Sequence, residues 1–156
     1  EIMRAISRNG ADRDVIFTAN TGHELGHIGL DHYLASREAL IKGAHIWIHL
    51  GANFAAAIAP GVVVQSSDEK ARTRMTGVLS RQGLEPDAEI GPGQRPLGEA
   101  RNIYDGGGRY VSVLGRNGLF HHPLDVWPDP VDLETTTRWV AAFTEIAQRL
   151  ASHEGR

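Results

Sequence analysis

The chain has 156 residues, enough for one domain with its own core, and its 41% hydrophobic and 22% charged residues are those of a globular protein. A net charge of -3 with no basic run leaves no footprint for a nucleic-acid partner. There is no cysteine, which excludes disulfides, thiolate metal sites and a cysteine nucleophile, and no apolar run reaches the ~18 residues of a membrane-spanning helix.

Residues 1 to 9 have the pattern of the second half of an amphipathic helix, with Ile2, Ala5 and Ile6 on one face and Asn9-Gly10 as its stop. The chain therefore reads as one domain over 1–156 and as a piece of a larger protein. Asp14 to Ala19 is a short apolar run, the pattern of a strand buried on both faces. A helical region over 23–41 follows, with Leu30, Leu34, Leu40 and Ile41 on its apolar side. Residues 44–50 alternate as a strand, and Gly61 to Gln65 form another.

Ser66 with Glu69 has the spacing of a capping box and predicts a helix to Gln82 that ends at Gly83. Residues 85–108 are rich in proline and glycine and read as loop. Arg109 to Leu114 is a strand. A closing helix over about 132–152 puts Trp139, Val140, Phe143, Ile146, Ala147 and Leu150 on one side. Strands that alternate with helices predict an α/β fold.

The stretch Gly22-His23-Glu24-Leu25-Gly26-His27 contains the His-Glu-x-x-His signature, in which two histidines on one helical face bind zinc and the glutamate activates water. The longer metzincin form requires Gly at 30 and His at 33, where this chain has Leu30 and Tyr33; Gly29 and His32 each fall one residue early. One residue on a helix is about 100° of rotation, so His32 would miss the metal. Gly26 and Gly29 also weaken a helix here, each by roughly 1 kcal/mol against alanine. The match reads as accidental.

A carboxylate just after a strand and before a helix is where open α/β sheets hold their ligands. The segment VIFTANTGHELGHIGLDHYL resembles the one that carries Gly-Glu-Glu-x-Gly in the co-catalytic zinc aminopeptidase and glutamate carboxypeptidase family. Leu119-Phe120-His121-His122-Pro123-Leu124-Asp125 is similar to that family's Tyr-His-Thr-Pro-x-Asp. Ile46 to Gly51 stands where its middle strand ends in Leu-Asp, and the last helix also has a counterpart, so the resemblance spans nearly the whole chain.

That resemblance implies a three-layer α/β fold, with a central mixed, mostly parallel sheet and helices on both faces. Residue by residue, it makes His23 the replacement of the family's general base. It makes Glu24 and His121 ligands of one zinc, and it leaves Gly51 where the second zinc has its aspartate. Two ligands hold zinc poorly, so one ion at most is expected. Asp125 could orient an imidazole from behind or cap a turn. Glu99 and Arg101, in the segment Gly98 to Asn102, fall in the implied substrate pocket and could meet a charged substrate end or solvent.

For the other histidines the simpler readings are packing or surface positions for His27 and His32, and buried, hydrogen-bonded positions for His45 and His49. Gly106 to Gly108 suits a hairpin turn. The implied activity is amide hydrolysis on a peptide or small amide. The rival is a catalytically inactive binding or scaffolding domain of the same fold, with a His-Glu-x-x-His protease a distant third. Self-association through an exposed sheet edge is a further expectation.

Overall fold

The computed structural model describes residues 1–152. Within them β1 (Trp47–Leu50), β2 (Gly61–Ser66), β3 (Ala88–Ile90) and β4 (Tyr110–Arg116) form one mixed sheet in the order β1-β4-β2-β3. The β1–β4 and β2–β3 pairs are parallel and β2–β4 is antiparallel. Six helices surround it among these residues: α1 (Ile2–Asn9), α2 (Ile28–Ala35), α3 (Glu38–Gly43), α4 (Glu69–Arg81), α5 (Ala100–Asp105) and α6 (Leu133–Ala151). The α/β class expected from the alternating pattern is present.

Side chains along a strand alternate between faces, and β4 shows what each face buries. Val111 and Val113 join Val64 of β2, Met75 and Leu79 of α4 and Phe143 of α6 in one apolar cluster. Tyr110, pointing the other way, joins Leu30 and Leu34 of α2 and Ala100 and Ile103 of α5. Burying a side chain of this size stabilises the fold by about 1.5–3 kcal/mol, which is why these helices stay on the sheet.

Several local expectations are corrected. Residues 14–19 form no strand; Val15, Ile16 and Phe17 are 38%, 62% and 45% exposed. An apolar run becomes a buried strand only where neighbours offer it hydrogen bonds, and this run pairs with no strand of the sheet. The helix expected over 23–41 is broken into a 3-10 turn at His23–Leu25, then α2 and α3. Gly22, Gly26 and His27 have φ of +73°, +85° and +68°, and left-handed residues interrupt a right-handed helix.

The cap of α4 is Asp68 rather than Ser66: its carboxylate accepts from Ala71 N at 2.8 Å, while Ser66 Oγ donates to Asp68 O. Asp68 stands two residues after Ser66 and three before Ala71, the spacing at which its carboxylate meets the Ala71 N–H, so the helix starts there. The loop expected over 85–108 contains β3, an edge strand on β2, and α5, whose Ala100 and Ile103 are buried. On β1 the alternation holds, but Trp47 and His49 face inward while Ile48 and Leu50 are 36% and 39% exposed.

Candidate functional site

Register places three polar residues side by side. His49 of β1 and Gln65 of β2 are both the partners of Ser112 of β4, so the three side chains share one face of the sheet. Gln65 and Ser112 are fully buried. Gln65 Nε2 donates to Ser112 Oγ at 2.9 Å, and Ser112 Oγ lies 2.8 Å from His49 Nδ1. A buried polar group is costly unless hydrogen-bonded, and this row satisfies all three.

The row continues outward. His49 Nε2 is 3.2 Å from Glu99 Oε2, and Glu99 Oε1 is 2.7 Å from His23 Nδ1. Glu99 sits at the start of α5, in the segment that Gln65 pins: Leu97 N donates to Gln65 Oε1 at 2.5 Å. His23 sits in the 3-10 turn, held by the backbone bonds Leu25 N to Gly22 O and Gly26 N to His23 O. Burial raises the Glu99 carboxyl, but the hydrogen bond from His23 and the neighbouring imidazoles outweigh it and hold the group below the usual carboxylate range. For His49 burial wins over the pull of Glu99, and its imidazole is held below the ordinary value.

Ser112, His49 and Glu99 have the residue types of a hydrolase triad. Ser112 is nevertheless buried in mid-strand and accepts a bond from Gln65, so its oxygen is closed to a substrate. The exposed end of the chain is His23, whose side chain is 51% accessible.

His27 is buried beside it, with ring centroids 5.0 Å apart. The turn thus brings together two histidines that no helix carries. His27 Nδ1 meets Asn102 Oδ1 at 2.9 Å, and Arg101 donates to its Nε2 at 3.3 Å. His23, His27 and Glu99 each offer a ligand atom, all within 4.8 Å of one another, so this group could hold a metal ion. Two imidazoles and a carboxylate are a donor set that zinc accepts. The Arg101 guanidinium stands against one of those donors and would have to move.

Glu24 and His121 also come together: His121 Nε2 is 3.0 Å from Glu24 Oε1, and both side chains are more than half exposed. Among the described residues no third histidine or carboxylate joins them closely enough to make a three-donor group. Asp125 is seated against Asn117, accepting from its Nδ2 at 3.0 Å. Arg101 turns onto its own segment, with Nε donating to Gly98 O, and onto His27. Position 51 is closed: a Cβ there would lie 2.2 Å from Leu114 Cδ2 and 2.9 Å from Val113 O.

Sequence reasoning gave His49 as a buried, hydrogen-bonded histidine, and it is hydrogen-bonded and part-buried; of the surface and packing readings for His27, the packing one holds, since it is buried. It missed Gln65, Ser112 and Asn102. The signal available was one polar residue in each of three apolar strands: Gln65 in GVVVQ, Ser112 in YVSVL and His49 in WIHL. Compared with known proteins, the chain matches no family model, no curated protein and no solved structure.

Proposed function

We propose that this chain is a zinc-exopeptidase-type hydrolase domain, acting on the amide bond of a peptide or small amide, with His23 as general base. It holds one zinc ion at most, on Glu24 and His121. The observation that carries the reading is the 2.7 Å contact of His23 Nδ1 with Glu99, at the position where the resemblance calls for a base. The ionised carboxylate holds the Nδ1 proton, leaving Nε2 to take a proton from water as its oxygen bonds to the carbonyl carbon. That proton then passes to the amine nitrogen as the C–N bond breaks.

Glu24 and His121 are donors of the right kind for zinc, though two fall short of the three or four protein ligands of an ordinary site. A zinc ion there would supply Lewis-acid polarisation of the carbonyl. The three-layer exopeptidase architecture is part of the same proposal; helices packed on both sides of β4 support it.

The test is amine release from dipeptides and amino-acid anilides by the wild type and by His23→Ala. Loss of a general base lowers the rate by about 10²–10⁴-fold. Equal rates in the two proteins would overturn the proposal.

One observation favours the rival reading, an inactive binding domain of the same fold. The site where the second zinc would have its aspartate is occupied by Gly51, and the packing around it leaves no room for a side chain. Binding of a peptide without turnover would support that reading.

A further inference from the structure

The hydrogen bonds around His23 can be given directions, because each chain of contacts contains a group with only one role to play. A backbone N–H can only donate, so Leu97 N fixes Gln65 Oε1 as its acceptor and turns Gln65 Nε2 towards Ser112. Ser112 Oγ accepts from Gln65 and lies 2.8 Å from His49 Nδ1. The ionised Glu99 carboxylate can only accept, so His49 Nε2 donates to its Oε2, and in a neutral imidazole Nδ1 is then left to accept the Ser112 proton. Glu99, acceptor-only when ionised, takes a second proton bond from His23 Nδ1.

His27 follows from a separate chain. The Asp31 carboxylate takes a bond from Asn102 Nδ2 at 2.5 Å, which leaves Asn102 Oδ1 to accept from His27 Nδ1. Its Nε2 then accepts from Arg101.

From these directions we infer that Glu99, held in place by the row of Gln65, Ser112 and His49 behind it, locks His23 as the Nδ1–H tautomer. His27 is locked the same way by Asn102, but its Nε2 is taken by Arg101. His23 Nε2 has no hydrogen-bond partner among the described residues and lies on a half-exposed side chain. It is therefore the one imidazole lone pair of the two that is left open to a proton or a cation. Gln65, Ser112 and His49 are positioning residues: Gln65 and Ser112 are fully buried, His49 is largely so, and together they hold Glu99 in place. An acceptor on one imidazole nitrogen that fixes the tautomer and raises the basicity of the other is the arrangement that bases and metal-binding histidines share.

The inference deepens the reading of His23 as the base, and its test uses neither substrate nor metal. Long-range proton–nitrogen correlation spectra of the 15N-histidine-labelled chain, taken above the imidazole titration range at about pH 8, give the protonated nitrogen of each ring. The expected spectrum has His23 and His27 protonated at Nδ1 and His49 at Nε2. Glu99→Ala should release His23 to a tautomer mixture while His27 keeps its proton on Nδ1. Ser112→Ala should leave His49 protonated at Nε2, because the Glu99 carboxylate still accepts from it, and His27 again unchanged shows the variant folded.

A wild-type spectrum with the His23 proton on Nε2, or with His49 protonated at Nδ1, overturns the inference even if neither variant folds. Tautomers as stated in a chain that hydrolyses nothing would instead overturn the proposed function and leave the inference standing.

Discussion

Glu24 and His121 meet at 3.0 Å although 97 positions separate them in the chain. The 3-10 turn after Gly22 carries one, and a left-handed residue carries the other, His121 having a φ of +61°. An exposed contact between an imidazole and a carboxylate contributes little to stability, so the interest of this one lies in what it could hold.

The pair and the His23, His27 and Glu99 group make different predictions for zinc. If Glu24 and His121 carry it, calorimetry finds at most one weakly bound ion per chain, and both Glu24→Ala and His121→Ala abolish the heat. Zinc binding that survives Glu24→Ala but is lost in His27→Ala would assign the ion to the other group.

Gly51 argues against a second metal by packing rather than by chemistry. Forcing a Cβ to 2.2 Å from Leu114 Cδ2 and 2.9 Å from the Val113 carbonyl must shift β1 or β4. Gly51→Asp is expected to lose about 1–3 kcal/mol in urea unfolding, the usual cost of overpacking, and to bind no additional zinc. A variant as stable as the wild type with two ions bound would contradict this.

The turn that carries His23 depends on a second close approach. A Cβ on Gly29 would lie 2.4 Å from Thr21 O and 2.8 Å from Thr21 N, both backbone atoms, in a place where Gly29 N donates to Thr21 O. Gly29→Ala is expected to destabilise by about 1–3 kcal/mol and to separate His23 from Glu99. The His23 imidazole resonances would move accordingly; unchanged resonances and stability would show that the turn tolerates the methyl.

Stability should fall with acid in two stages. His49 is held below its ordinary value of 6.5 by burial, so below that pH the unfolded chain takes up a proton that the folded chain refuses. Glu99 lies below its usual 4.5 because the His23 bond and charge outweigh its burial. Asp68 lies below its usual 3.8 because Arg109 and the Ala71 N–H outweigh its burial. Their contributions are full above those values and disappear as pH falls through the lower folded ones. Urea midpoints should be level above pH 7, begin to drop below about 6.5 and drop again in the carboxylate range. His49→Asn should remove the first stage only.

What the sequence made legible was periodic. The strands around 47–50, 61–66 and 110–116 and the helices starting near 69 and 133 follow from alternation, capping residues and apolar stripes. Residues 14–19 misled because composition records an appetite for burial without supplying a partner strand. The region over 23–41 misled because left-handed backbone at Gly26 and His27 outweighed the apolar spacing on either side. Glu99 was singled out for an implied substrate pocket, and its contact with His23 was not legible, since 76 positions lie between them and only the fold closes that gap. The Gln65, Ser112 and His49 row depends on the register of three strands, which no local pattern encodes.

The measurement that bears most directly on the function is the rate of amide hydrolysis by the wild type and by Glu99→Gln, which keeps the shape of the side chain and removes its charge. Measurable turnover is expected in the wild type, with a fall of about 10²–10⁴-fold in kcat for the variant and KM little changed. A Glu99→Gln protein that matches the wild-type rate, or a wild type with no turnover on any amide, would contradict the proposed function.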